Sequence, residues 1–179
     1  MSKTRFIIQK HDASRLHYDF RLEVDGVLYS WAVPKGVSTD PSEKRLAIEV
    51  DDHAMAAYDF EGVIAEEDYG GGVVMIWERG TYENISKNKD HEPVDMKSAR
   101  KNGHIAVKLH GEKIQGGYAL TRFRENEDQP QWLLVKMDDD QADARRNPVS
   151  TEPDSVVSDR SIDDIEEEED PVKSDEVGC

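Results

Sequence analysis

The chain has 179 residues, 35% of them charged, with a formal net charge of −16 at pH 7; this length fits one compact domain and excludes two large ones. The acidity argues against a general nucleic-acid-binding surface, which needs a broad basic stripe, and predicts that any nucleic acid is bound at one point, such as a strand end, through a few local cations. Because no apolar run approaches membrane-spanning length and the single cysteine is Cys179, we expect a cytoplasmic protein with no membrane association and no internal disulfide.

Short β-prone segments separated by turn signals follow one another up to residue 136. Residues 17–24 alternate strictly between polar and apolar side chains, which predicts a strand with one buried face. Asp25-Gly26 follows and predicts a tight hairpin. The other predicted strands are 5–8, 27–33, 45–50, 73–77, 104–110, 118–123 and 132–136, with a short helix at 97–102 ended by Gly103. Roughly eight strands and little helix predict a mainly β fold, a compact antiparallel β-barrel.

The composition changes after residue 140. Residues 141–179 contain 4 Lys and Arg against 13 Asp and Glu, and no aromatic side chain. Such a segment buries too little apolar surface to offset the entropy of ordering. We therefore predict a β-barrel domain over residues 1–140 and a disordered acidic tail over 141–179, in which 162–169 could form a helix on a partner.

The polar face of the strand at 17–24 carries unusual chemistry. His17, Asp19 and Arg21 alternate along it, and His11 lies six residues upstream of His17. Neighbouring same-face residues lie about 7 Å apart on a strand, so His17 and Asp19 can converge on one ion while His11 arrives from the preceding loop. Two histidines and a carboxylate suit Mn²⁺, Fe²⁺ or Zn²⁺. A surface hydrogen bond between His17 and Asp19 is the plain alternative.

Further cations and one more histidine are candidates for phosphate chemistry. Arg45, on the polar face of its strand, and Lys35, in a Pro-Lys-Gly turn, could each bind a phosphate. His53 is the best remaining candidate for proton transfer or phosphate contact. Taken singly, Arg45 and Lys35 could equally be solvated surface charges.

Residues 9–23, QKHDASRLHYDFRLE, resemble the signature of the 3′-phosphoesterase domain of bacterial DNA ligase D and its free-standing relatives. The likeness continues to residue 137 through SWAVPKG at 30–36, DH at 52–53, DFEG at 59–62, LHGEK at 109–113 and WLL at 132–134. The resemblance implies a β-barrel and a Mn²⁺-dependent enzyme, with Co²⁺ or Zn²⁺ as substitutes. Such enzymes remove a 3′-terminal ribonucleoside and then the 3′-phosphate from DNA or RNA–DNA 3′ ends.

Position by position, the resemblance also implies site residues. Those matching metal ligands are His11, His17 and Asp19; those matching phosphate-contacting or catalytic positions are Arg21, Arg45 and His53, with Lys35 nearby. The family usually has a tyrosine four residues after the histidine at position 53, where this chain has Ala57. Tyr58 is the predicted substitute.

We therefore expect a monomeric hydrolase of DNA repair, with a separate DNA ligase or polymerase as a partner. Two alternatives stay open. One is a non-catalytic adaptor that binds strand ends and recruits repair proteins through its acidic tail. The other is an iron oxygenase in which His17, Asp19 and His104 form a facial triad.

Overall fold

The structure is a computed structural model that describes residues 4–68, 71–125 and 128–177. The strands of this part of the chain are β1 (Arg5–Asp12), β2 (Leu16–Val24), β3 (Val27–Val33), β4 (Lys44–Ala54), β5 (Gly62–Ile64), β6 (Gly72–Asn84), β7 (His104–His110), β8 (Gln115–Arg124), β9 (Gln131–Lys136) and β10 (Pro171–Val172). Their hydrogen-bonded order is β1-β2-β3-β4-β9-β8-β7-β6-β5-β10, and β1 also pairs with β6. Eight strands thus close into an antiparallel barrel, with β5 and β10 outside the ring, which confirms the predicted fold.

The Asp25-Gly26 turn and the end of the short helix at Gly103 are as predicted. Asp25 and Gly26 connect β2 to β3 with φ of 50° and 84°, the positive values that a tight hairpin turn requires. Helix α1 (Met96–Asn102) is capped at its start by the Asp95 side chain and ends at Gly103, whose φ is 81°. No helix within the described ranges is long and apolar enough to cross a membrane.

Strand alternation divides the apolar side chains between two clusters. The larger cluster fills the barrel and contains the fully buried Trp31, Trp77 and Trp132. The smaller cluster lies on the outer face and consists of Ile7, Leu28, Ala57, Tyr58 and Ile76. Because the segment 55–64 covers this outer face, polar side chains of β2 are buried although they point away from the barrel core.

The acidic tail is folded. It contains α2 (Pro148–Thr151), α3 (Ile162–Glu168) and β10. Ile165 of α3 is fully buried in the main core, and Ala65 N donates to Val172 O at 2.8 Å. The prediction of disorder is therefore wrong for residues 141–177, because average composition overlooks the few apolar side chains that reach the barrel. Residues 178 and 179 lie outside the described part.

Residues 152–177, which we call the strap, run along β5 and β6. Val156 N donates to Ile76 O at 3.0 Å, and β10 pairs in parallel with β5. Arg160 forms an ion pair with Glu61 at 3.1 Å. The strap thereby holds the segment 55–64 against the outer wall of the barrel.

Candidate metal and phosphate site

The hairpin of β1 and β2 places the predicted metal ligands on neighbouring cross-strand pairs. His11 lies directly opposite His17, and Gln9 lies opposite Asp19. Directly opposed side chains share one face of the sheet, with Cβ atoms about 5 Å apart. The sequence predicts His11 in a loop, whereas β1 extends to Asp12, so the two histidines meet on paired strands.

The three side chains converge on the outer face. His17 Nε2 lies 3.2 Å from Asp19 Oδ1, and His11 Nδ1 lies 3.5 Å from Asp19 Oδ2. One ligand atom from each residue lies within 4.8 Å of the other two, the one such group of three or more in the described ranges. The structure thus brings together the ligand set that the sequence predicts.

Hydrogen bonding shows that this cluster fits a divalent cation. His17 Nδ1 lies 3.1 Å from Arg15 O; since a carbonyl only accepts, Nδ1 carries a proton. In the protonated ring Nε2 donates to Asp19, and in the neutral ring the Nε2 lone pair faces Asp19. A lone pair and a carboxylate repel unless a proton or cation lies between them. His11 Nε2 is buried and has no hydrogen-bond partner within the described residues. Imidazole and carboxylate donors suit Mn²⁺ or Zn²⁺.

Charges around Asp19 keep its carboxyl ionised. Burial acts to raise the pKa of Asp19, but the Arg21 guanidinium and hydrogen bonds from His11 and His17 outweigh it and hold the pKa well below its usual range. Burial acts to lower the pKa of His17, but the hydrogen bond to Asp19, the negative charge of Asp19 and the hydrogen bond to Arg15 O together outweigh it, so the pKa is raised. The cluster therefore has an anionic centre ready for a cation.

Arg21 lies beside the cluster and is held in place by three groups. Its Nε donates to Gln9 Oε1 at 2.9 Å, and its Nη1 donates to Ser30 Oγ at 2.8 Å. Its Nη2 lies 3.5 Å from Asp19 Oδ2. A guanidinium has five N–H donors, so N–H groups remain that can bind phosphoryl oxygens in the cleft.

Sequence reasoning missed Gln9 and Ser30. Gln9 Nε2 donates to Ala57 O at 2.9 Å and to Phe60 O at 3.0 Å, so Gln9 joins Arg21 to the segment that covers the cleft. Glutamine and serine in alternating strands look like ordinary polar positions. One feature of the sequence could have identified Gln9. Pairing β1 with β2 as a hairpin places Gln9 directly opposite Asp19.

His53 reaches the cleft through a β-bulge. On β3, Ser30 pairs with Val50 and Leu28 pairs with His53, so three steps along β4 face two along β3. The extra residue turns His53 toward the same face as Val50, and both line the cleft. The predicted candidate for proton transfer therefore lies near the cluster because of an irregularity in β4.

The His53 ring is neutral near pH 7. Burial lowers its pKa, and the positive charge of Arg21 lowers it further. His53 Nδ1 lies 3.0 Å from Asp51 O, so Nδ1 carries the proton and Nε2 is an acceptor. This ring can accept a proton from a group in the cleft.

Apolar side chains form the rest of the cleft wall. They are Ala32, Val50, Phe60, Ile64 and Val74. Phe60 and Ile64 come from the segment under the strap. A few convergent polar groups within apolar walls are typical of a site for a small ligand or a terminal group.

The structure does not bring Lys35, Arg45 or Tyr58 into the cleft. Arg45 lies on the opposite face of β4 from Val50 and pairs with Glu43 at 3.1 Å. Lys35 is exposed in the turn after β3. Tyr58 packs in the outer apolar cluster, with the Arg5 Cζ atom 4.7 Å from its ring centroid.

The predicted iron triad is not assembled. His104 is exposed on β7, and its Nδ1 lies 3.1 Å from Thr121 Oγ1. It is absent from the cleft lining and from the cluster of His11, His17 and Asp19. That cluster is the one group of three or more possible metal ligands within the described ranges. The observation that favoured an oxygenase is thereby removed.

These features define a class of protein: an antiparallel β-barrel with a candidate metal and phosphate site on its outer wall. Residues 9–122 match the DNA Ligase D 3′-phosphoesterase domain. The chain belongs to this family, as its sequence signature predicts.

Three relatives are multifunctional non-homologous end joining proteins named LigD. The Pseudomonas aeruginosa protein is 45% identical over 160 residues, covering 88% of this chain and 18% of its own length. The Mycobacterium tuberculosis protein is 46% identical over 117 residues, 65% of this chain and 14% of its own. The Mycolicibacterium smegmatis protein is 43% identical over 135 residues, which cover 75% of this chain and 17% of its own length. The chain therefore spans less than a fifth of each relative.

Proposed function

We propose that this chain is a manganese-dependent phosphoesterase that processes 3′ ends of DNA or RNA–DNA strands. It removes a 3′-terminal ribonucleoside to leave a 3′-phosphate, and then removes that phosphate. The observation that carries the proposal is the cluster of His11, His17 and Asp19 beside the buried Arg21, in a member of a 3′-phosphoesterase family.

The setting of this activity follows from the relatives, whose names assign them to non-homologous end joining. We propose that the chain acts in DNA repair by end joining, as a monomer, with a separate DNA ligase or polymerase as partner. The alternative of a non-catalytic adaptor is an outcome of the test below.

His11, His17 and Asp19 would hold Mn²⁺, with Co²⁺ or Zn²⁺ as substitutes. When bound, the metal supplies Lewis-acid polarisation of a phosphoryl oxygen. The other groups act through their own contacts. Arg21 binds phosphoryl oxygens through its remaining N–H groups and stabilises the charge that develops on them. The apolar wall shields the bound phosphoryl group from bulk solvent.

His53 supplies the proton-transfer group. Its Nε2 is an acceptor because Nδ1 donates to Asp51 O, so it can accept a proton from the water that attacks phosphorus and return it to the leaving oxygen. The proposal assigns no role in the cleft to Lys35, Arg45 or Tyr58.

The test is cleavage of a labelled primer–template that ends in a 3′ ribonucleotide. Wild type is incubated with Mn²⁺ or with EDTA, and His17→Ala is assayed in parallel. The matched control is His104→Ala, which removes an exposed histidine far from the cluster. We expect a product shortened by one nucleoside for wild type and His104→Ala with Mn²⁺, and none with EDTA or for His17→Ala.

Two results would contradict this proposal. Equal cleavage by His17→Ala and wild type would show that the cluster takes no part in the reaction. No cleavage with any of Mn²⁺, Co²⁺ and Zn²⁺, while the protein still binds the labelled end, would favour the adaptor.

A further inference from the structure

The outer face of the barrel continues beyond the cleft as one uninterrupted surface. Val50 of β4 lines the cleft, and the strand register carries the face onward from there. One row of directly paired residues runs from Asp19 through Ala32, Ile48 and Gln131 to Arg124. With strands about 4.8 Å apart, these four steps follow about 19 Å of the curved outer wall, halfway around the barrel from β2 to β8.

We call the outward residues of this surface on β4, β9 and β8 the strip. They are Lys44, Leu46, Ile48, Gln131, Leu133, Val135, Ala119 and Thr121. Lys44 is the one charged residue among these eight and it is a cation, although 35% of the residues in the chain are charged and most of those are acidic. The alternate residues of the same strands, such as Trp132 and Leu120, fill the barrel. The strip is therefore an accessible surface without carboxylates on an acidic protein.

The far end of the strip carries an exposed aromatic ring beside a cation. Phe123 is 49% exposed and lies at a register shift in the pairing of β8 with β9. The Arg124 Cζ atom is 5.9 Å from the Phe123 ring centroid. Unpaired nucleic acid is bound by such combinations, because bases stack on the ring and phosphates contact the cation.

The opposite side of the cleft is strongly acidic. There the strap carries 12 Asp and Glu against Arg160 and Lys173. A polyanion that left the cleft over the strap would meet this repulsion, whereas the strip itself carries no carboxylate, and Glu125 at its far end is paired with Arg122 at 3.0 Å. Charge therefore selects the strip side as the path of a nucleic-acid chain.

We propose that an unpaired nucleic-acid strand, continuous with the 3′ end held in the cleft, crosses the strip, stacks a base on Phe123 and places a phosphate against Arg124. This inference rests on the proposed function and adds to it a second contact region, outside the cleft. A short substrate that fills only the cleft does not reach Phe123.

The test compares a long substrate with a short one. The long substrate is a single strand of about 12 nucleotides, which exceeds the span of the strip, and the short one is a dinucleotide with the same 3′-terminal ribonucleoside. Phe123→Ala is expected to weaken binding of the long strand on the order of tenfold. Arg124→Gln is expected to reduce the slope of log affinity against log salt by about 0.7, one phosphate contact. Neither variant changes cleavage of the dinucleotide.

Matched controls come from the strap. Val157→Ala removes an apolar side chain that is 45% exposed, and Lys173→Ala removes an exposed cation. Both are expected to bind the long strand as wild type does. Thermal unfolding checks that all four variants are folded.

The outcomes separate this inference from the proposed function. Unchanged affinity of Phe123→Ala and Arg124→Gln for the long strand overturns the strip assignment and favours a protein-docking face. An equal loss of affinity for a blunt duplex overturns the choice of an unpaired strand. If wild type cleaves neither substrate but the strip variants bind the long strand more weakly, the proposed function fails and the strip assignment stands.

Discussion

Gln9 links the guanidinium of Arg21 to the wall of the cleft. Its oxygen accepts from Arg21 Nε at 2.9 Å, while its nitrogen donates to Ala57 O and Phe60 O at 2.9 and 3.0 Å. Because Gln9 is only 2% exposed, water cannot readily replace these contacts. One amide therefore contributes both to the position of Arg21 and to the closure of the cleft.

Gln9→Ala is expected to lose both stability and turnover. Leaving a buried guanidinium N–H and two carbonyls without partners costs about 1–3 kcal/mol of unfolding free energy. A shift of Arg21 by about 1 Å lowers turnover on the order of 100-fold. Urea unfolding and initial rates with saturating Mn²⁺ measure the two effects.

Ser30→Ala is the matched control for Gln9→Ala. It removes the acceptor of Arg21 Nη1 at 2.8 Å and leaves the contacts to Ala57 and Phe60 in place. Its hydrogen exchange over residues 55–60 is expected to equal that of wild type, whereas Gln9→Ala accelerates it. Wild-type rates in Gln9→Ala would show that Arg21 is positioned without the amide.

Part of the site was predictable because it lies on one hairpin. Alternation on β2 places His17, Asp19 and Arg21 on one face whatever the rest of the chain does. Gln9 was missed because its partners Ala57 and Phe60 are about 50 residues away in sequence, a separation no local pattern reports.

At the scale of elements, β4 shows that a sequence pattern can identify a strand correctly and still assign its two faces wrongly. The sequence predicts the alternation of β4 correctly but places Arg45 on its solvent-facing polar side, and that orientation is wrong. Ala47 is buried in the core while Leu46 is 38% exposed, since the outward face continues into the cleft. Arg45 therefore points away from the cleft, and His53 enters it through a bulge that alternation cannot foresee.

Glu78 of β6 ties the turn between β7 and β8 to the barrel. It is fully buried, and its Oε2 accepts from Lys113 N at 2.5 Å and Ile114 N at 2.8 Å. Burial raises the pKa of Glu78, and backbone hydrogen bonds offset only part of this. A group whose pKa is raised by folding contributes its full stabilisation of the folded state below its pKa in the unfolded chain. This stabilisation is lost as the pH rises through its pKa in the folded protein.

Glu78→Gln is therefore expected to change the pH dependence of stability. Between about pH 5 and pH 8 the unfolding free energy of wild type falls relative to that of Glu78→Gln, because the variant has no carboxyl to ionise. The variant is less stable at the lower pH, since its amide NH₂ cannot accept from backbone N–H groups. Urea titrations at both pH values measure the difference.

Glu112→Gln, an exposed change in the same turn, is the control for Glu78→Gln. It is expected to follow the pH dependence of wild type. Parallel pH profiles for Glu78→Gln and wild type would mean that the Glu78 carboxyl stays ionised throughout this range in the folded protein.

The strap shows how few apolar residues suffice to fold an acidic segment. Ile165→Ala is expected to lower the unfolding free energy by about 2–4 kcal/mol, since Ile165 is fully buried in the main core. Val157→Ala, at a 45% exposed position of the same strap, is expected to change it by less than about 0.5 kcal/mol. Chemical denaturation measures both. Equal stability of the two variants would mean that the strap does not pack stably against the barrel.

For the whole molecule, charge opposes the packing of the strap. The strap holds 12 Asp and Glu against 2 basic residues, and the remainder of the chain is also net negative, so the two repel at long range. Local contacts such as Arg160–Glu61 at 3.1 Å act against this repulsion. The Glu61 side chain is 7% exposed, so salt screens this pair less than it screens the repulsion between exposed carboxylates.

Raising NaCl from about 0.02 to 0.5 M is therefore expected to increase the unfolding free energy and to slow hydrogen exchange of the Ala65 amide. This amide reports strap docking because it donates to Val172 O. Arg160→Gln, which removes the pairs to Glu61 and Glu169, is expected to speed Ala65 exchange at low salt while the amides of β9 keep wild-type protection. Faster Ala65 exchange in wild type as salt rises would mean that ion pairs, and not long-range repulsion, control the docking of the strap.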